Sequence, residues 1–162
     1  MTDQKTVKMF RVYIRASAQQ VWDAITDPEW NARYGYPGTN EYDLRPGGRF
    51  EAVMPAGMLG PDPFVGVDGE VVEADEPKRL VQTWRFRFAP DQIEEGFQEV
   101  VWDLHEELGG VTRLTVTHDV TTAPLAAAMI DGDTDLEQGG GGWAWILSGL
   151  KTLLETGDAI AG

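Results

Sequence analysis

Residues Leu80-Val81-Gln82-Thr83-Trp84-Arg85-Phe86-Arg87-Phe88 alternate without a break: Leu80, Gln82, Trp84, Phe86 and Phe88 fall on one side, Arg85 and Arg87 on the other. A strand points successive side chains to opposite faces, so this stretch predicts one aromatic face and one wet face. Outward from it, the same period recurs in Val7–Ile14, where Phe10, Val12 and Ile14 share a side, and in Arg49–Met54, where Phe50, Ala52 and Met54 do. It returns with Val65, Val67 and Val71, with Val100, Trp102 and Leu104, and with Leu114, Val116 and His118 after a Gly109-Gly110 turn. The opposite sides carry Asp68, Glu70, Glu99, Asp103, Arg113 and Asp119. This division describes an antiparallel sheet with one face in water. Cross-strand pairing of Arg85 and Arg87 with Glu99 and Asp103 is expected, worth about 0.2–1 kcal/mol each.

The remaining segments read as helices and turns. Ser17 followed by Gln20 is a capping-box pattern that opens a short helix burying Val21, Trp22 and Ile25. Asp27-Pro28 starts a second one, through Trp30 and ending near Tyr34-Gly35. Pro46-Gly47-Gly48 is a turn, residues 55–63 form a loop, and Leu125–Ile130 is a short apolar stretch. From Trp143 to Glu155, Trp143, Ile146, Leu147, Leu150, Leu153 and Leu154 form one helical stripe. Only this last helix is long enough to cover the apolar sheet face. The expectation is an α+β fold, a curved antiparallel sheet wrapped around a long C-terminal helix with two short helices after the first strand. A single domain is expected over 1–162, with its core at about 7–156.

Composition narrows the function. The chain has 162 residues, 27 acidic against 13 basic and a net charge of −14, which disfavours nucleic acid and anionic membranes. No apolar run approaches the ~18 residues of a membrane span, and Met1–Lys5 has no apolar leader pattern. A cytoplasmic protein is expected. Without cysteine there is no thiolate nucleophile or ligand. Asp131-x-Asp133-x-Asp135 starts like a calcium loop but has Leu136 where glycine belongs and Gly142 where glutamate belongs. Gly139–Gly142 has no P-loop Lys-Ser/Thr pair after it and reads as a flexible joint before the last helix. Ser17 reads as a cap, and Ser148 has no evident base. No metal and no cofactor are expected.

Taken in order, several short patterns resemble one family: Phe10…Ile14-x-Ala16 with Val21-Trp22; Pro46-Gly47-Gly48-x-Phe50; Gly69-x-Val71; and Pro77-x-x-Leu80-x-x-Thr83-Trp84. Val111-Thr112-x-Leu114-x-Val116-x-His118 and Gly142-Trp143-x-x-x-Leu147-x-x-Leu150 complete the set. The chain resembles bacterial relatives of the activator of Hsp90 ATPase, within the START-like (SRPBCC, or Bet v 1-like) superfamily. The resemblance implies a helix-grip fold, with a cavity between sheet and helix that in many relatives holds an apolar molecule.

The residues themselves point the same way. Phe50, Met54, Trp84, Phe86 and Trp102 on the sheet meet Trp143 and Leu147 on the helix, with Trp30, Tyr34 and Phe64 at the expected rim. Large rings on a concave face pack with gaps and line pockets, although they can also simply fill a core. An empty ~300 Å³ at roughly 24 cal/mol per Å³ would cost about 7 kcal/mol, comparable to a whole domain's stability. A cavity of that size is therefore occupied, hydrated or shrunken. Gln82 and His118 sit on otherwise apolar faces and need partners, whereas His105 alternates outward.

Three functions are compatible with this reading. The first is binding or sequestration of a hydrophobic or aromatic small molecule. The second is a polyketide cyclase- or dehydratase-like enzyme with His118 as acid/base, helped by Tyr34. The third, implied by the resemblance, is an Hsp90-type chaperone partner. Tyr36 is a further phenol for the mouth, and Trp145, off the helical stripe, is a candidate exposed contact for a homodimer.

Overall fold

The computed structural model describes residues 4–34, 38–136 and 140–161. Strand β1 (Val7–Ile14) leads into helices α1 (Ala18–Thr26) and α2 (Pro28–Asn31). Strands β2 (Thr39–Tyr42), β3 (Arg49–Met54), β4 (Phe64–Asp75), β5 (Arg79–Phe86), β6 (Gln98–Glu106) and β7 (Thr112–Asp119) follow, with α3 (Pro90–Glu95) between β5 and β6. Helices α4 (Pro124–Ile130) and α5 (Gly142–Thr156) close the chain. All seven strands form one antiparallel sheet in the order β1-β7-β6-β5-β4-β3-β2. The sheet curves around α5 in a helix-grip arrangement.

Local chemistry explains the element boundaries. The Ser17 hydroxyl accepts the Gln20 backbone N–H at 3.1 Å, and the Gln20 side chain accepts the Ser17 N–H at 2.9 Å, closing the capping box. Asp27 accepts the N–H of Glu29 at 3.0 Å, and Pro28 takes the first position of α2. Helix α5 stops at Gly157, whose left-handed backbone lets its N–H reach the Leu153 carbonyl at 2.8 Å. Its side chains Trp143, Leu147, Leu150 and Leu153 are buried against the inner sheet face.

Curvature comes from β4, where pairing slips twice. Val53 faces Val65 and Ala52 faces Val67, leaving Gly66 as an extra residue; on the other side Val71 faces Gln82 and Glu73 faces Val81, leaving Val72 extra. Such bulges bend a strand and reverse the facing of what lies beyond them. Glycine is required at the first: a Cβ on Gly66 would stand 2.7 Å from the Met54 side chain and 2.9 Å from the Phe88 ring.

The bulge corrects the sequence reading. Val65 faces outward, opposite to Val67 and Val71, and Phe64 becomes the inward first residue of β4 rather than part of a rim loop. Strand β2 and helix α3 are elements the alternation did not show, and Leu125–Ile130 is helical. The outer ion pairs also differ. Arg85 grips Asp68 with two bonds of 3.0 and 2.9 Å, Arg87 joins at 3.2 Å, and Asp103 takes Arg79 at 2.9 Å. Register decides this, because Asp68 lies directly opposite Arg85, and Glu99 lies opposite Thr83.

Trp145 is half-buried over Gly141 and Leu136, so it is not the exposed indole expected for a dimer contact. His105 is exposed. At the expected joint, Gly139 lies outside the described residues, while Gly142 is a tight crossing: a Cβ there would meet the Ile130 carbonyl at 2.2 Å. Asp133 and Asp135 are exposed, Asp131 is paired with Lys8, and no metal-holding group of acidic or histidine side chains forms among the described residues. No described helix is long and apolar enough to cross a membrane.

Candidate functional site

A cavity of about 570 Å³ opens between the inner sheet face and the helices. Its floor is built by alternation: Ala52 and Met54 of β3, Val67 of β4, Trp84 and Phe86 of β5, Phe88 just beyond, and Trp102 of β6. Trp143 and Ile146 of α5 and Met129 and Ile130 of α4 form the opposite wall. Met58, Leu59 and Leu136 stand at the mouth, 38%, 62% and 48% exposed. Apolar side chains in water at the lip of an apolar cavity mark an entrance rather than a sealed core. Asn31, Tyr34 and Asn40 supply polar atoms to the lining.

The rings pack on one another as well as on the void. Trp84 lies 5.1 Å from Trp143 and 5.5 Å from Phe50, and Trp102 meets Trp143 edge-on at 5.1 Å. Two buried polar side chains anchor these indoles. Gln82 Oε1 accepts the Trp102 N–H at 2.9 Å and the Tyr42 hydroxyl at 2.7 Å. His118 Nδ1 accepts the Trp143 N–H at 3.1 Å. An indole N–H can only donate, so Nδ1 is unprotonated and Nε2 carries the hydrogen. That hydrogen goes to Gln98 Oε1 at 3.2 Å, and Gln98 donates onward to the Gly96 carbonyl at 2.6 Å. Burial pushes the His118 pKa down to about 4, the neighbouring Asp119 charge opposing it only in part. The ring is therefore neutral at pH 7, with both nitrogens engaged.

The polar end is similarly committed. Asn31 donates both N–H bonds to the Ala24 and Ile25 carbonyls at 2.9 Å and accepts the Asn40 backbone N–H at 2.8 Å. The Tyr34 hydroxyl donates to the Ala24 carbonyl at 2.9 Å, and burial raises its pKa. Three buried side chains, Trp22, Gln82 and Trp84, have an N–H group with no partner among the described residues, and of them Trp84 lines the cavity.

Of the residues selected from sequence, Tyr34, Met54, Trp84, Phe86, Trp102 and Trp143 line the cavity. Phe50, Gln82, His118 and Leu147 are buried behind that lining, supporting it. Phe64 packs edge-on against Phe88 at 5.8 Å, and Trp30 is half-buried under the Arg33 guanidinium at 5.2 Å. Neither reaches the lining. Tyr36 lies outside the described residues. Met58, Leu59, Met129, Ile130, Leu136, Asn31 and Asn40 were not foreseen. Met58-Leu59 did carry a signal, an apolar pair inside a loop otherwise rich in proline and glycine, where solvent favours polar residues.

CalU16 from Micromonospora echinospora is 23% identical, with a TM-score of 0.64 over 94% of this chain and 78% of its own. Protein NE0264 from Nitrosomonas europaea is 24% identical, with a TM-score of 0.67 over 93% and 95%. DynU16, a protein in the dynemicin biosynthetic locus, is 23% identical with a TM-score of 0.64; the match covers 94% of this chain and 48% of that one. These likenesses bear out the helix-grip fold. No curated protein matches the sequence. Residues 15–155 match a family over most of the chain's length, and the chain accordingly belongs to the Activator of Hsp90 ATPase homolog 1-like protein family.

Proposed function

We propose that this protein binds and sequesters an apolar or aromatic small molecule between the sheet and α5. One observation carries the reading: the cavity of about 570 Å³ is lined among the described residues mostly by rings, thioethers and aliphatic groups, with the amides of Asn31 and Asn40, and its single titratable side chain is Tyr34. Acid/base catalysis needs a proton-accepting group within reach of the substrate. His118 is not in the lining, and both its nitrogens are hydrogen-bonded to Trp143 and Gln98. Tyr34 holds its proton on the Ala24 carbonyl. This inventory favours binding over a cyclase-like reaction. The methionines suit such a task, because an unbranched thioether side chain adapts to irregular ligand shapes.

Titration with 1-anilinonaphthalene-8-sulfonate and with uncharged anthracene, each read by quenching of tryptophan fluorescence, tests the proposal. Saturable quenching by at least one probe that weakens in a Trp84→Leu variant is expected. Absence of saturable binding by either probe would remove the proposal.

A further inference from the structure

The chemistry of the lining goes further than apolar binding. Three indoles border the cavity, yet none offers its N–H. Those of Trp102 and Trp143 are taken by Gln82 and His118, and that of Trp84 is enclosed. No lysine, arginine or histidine lines the cavity among the described residues. Nor does the sequence place any in the stretches 1–3, 35–37, 137–139 or at 162. A ligand anion inside would therefore lose its water without gaining a counter-charge or an array of donors, which is strongly unfavourable.

Asn40 adds a carbonyl oxygen to this lining. Asn40 turns its amide nitrogen toward the Ile25 carbonyl at 3.4 Å. Asn40 is a lining residue of the cavity, and no described residue donates to its Oδ1. A carbonyl oxygen beside an apolar void is matched by a ligand hydroxyl or phenol, not by a carboxylate.

Resting on the binding reading above, we propose that the cavity selects uncharged aromatic molecules bearing a hydroxyl group, received by Asn40, and rejects the corresponding carboxylates. The test is a ladder of three probes on one ring system at pH 7.5: 9-methylanthracene, 9-anthracenemethanol and 9-anthracenecarboxylate, titrated by calorimetry. The expected order is alcohol first, the methyl compound about fivefold weaker, and the carboxylate at least about a hundredfold weaker than the alcohol. The carboxylate gap should persist in 1 M NaCl. A gap that closes in salt would assign the rejection to the protein's net negative charge instead and overturn the proposal.

Asn40→Leu should bring the alcohol level with the methyl compound. An advantage of the alcohol that survives this substitution overturns the role of Asn40. Should the variant not fold, the ladder on the unmodified protein decides: carboxylate binding as tight as alcohol binding refutes the proposal. Failure of all three probes to bind would instead refute sequestration itself, so the two failures are distinguishable.

Discussion

Trp143 donates its indole N–H to His118 Nδ1 across 3.1 Å, tying a cavity wall on α5 to a buried imidazole on β7. The bond exists only while Nδ1 is unprotonated. The folded-state pKa of about 4 lies below the unperturbed 6.5, so between those values the unfolded chain binds more protons than the folded one. The stability contribution is complete above pH 6.5 and is lost as the pH falls toward 4. The loss should total about 3 kcal/mol. Urea denaturation at a series of pH values is the measurement. His118→Gln, which keeps an acceptor but does not titrate, should flatten the dependence in this window. An unchanged slope in that variant would assign the effect to other groups.

Gln82 should behave as a coupled unit with the two donors it serves. Gln82→Leu leaves the Tyr42 hydroxyl and the Trp102 N–H facing apolar surroundings, at about 1–3 kcal/mol for each unpaired group. Combining it with Tyr42→Phe should cost less than the sum of the two single changes, by about 1 kcal/mol. A double-mutant cycle by chemical denaturation reads this directly, and strict additivity would contradict the network.

Gly66→Ala should destabilise the fold by about 1–3 kcal/mol, because the new methyl collides with Met54 and with the Phe88 ring. Both neighbours line the cavity. Thermal denaturation should therefore show a lowered midpoint, accompanied by weaker anthracene binding. A neutral outcome would mean that Met54 swings aside freely.

Glu95 of α3 caps α4, its two carboxylate oxygens accepting the N–H groups of Leu125 at 2.9 Å and Ala126 at 3.1 Å. Glu95→Ala should cost about 1 kcal/mol of local stability. Hydrogen exchange should speed up across 124–130, which carries Met129 and Ile130 over the cavity, with little change in β5–β7. Uniform acceleration across the sheet would show that α4 does not open separately.

The sequence by itself determined the elements that depend on local periodicity. Alternation in 80–88 placed Trp84 and Phe86 on the inner face, the stripe from Trp143 onward located α5, and the Ser17–Gln20 box began α1. These follow from neighbours a few residues apart, which geometry constrains directly.

Only the tertiary structure decided which part of the aromatic face stays uncovered. One extra residue at Gly66 turned Val65 outward and Phe64 inward, a reversal no alternation announces. Met58, Leu136 and Asn40 arrive at the cavity from loops and an edge strand. The imidazole of His118 became an anchor because Trp143 and Gln98, far from it along the chain, close on it from both sides. Voids and hydrogen-bond partners are set by how distant segments meet, and periodicity carries no information about that meeting.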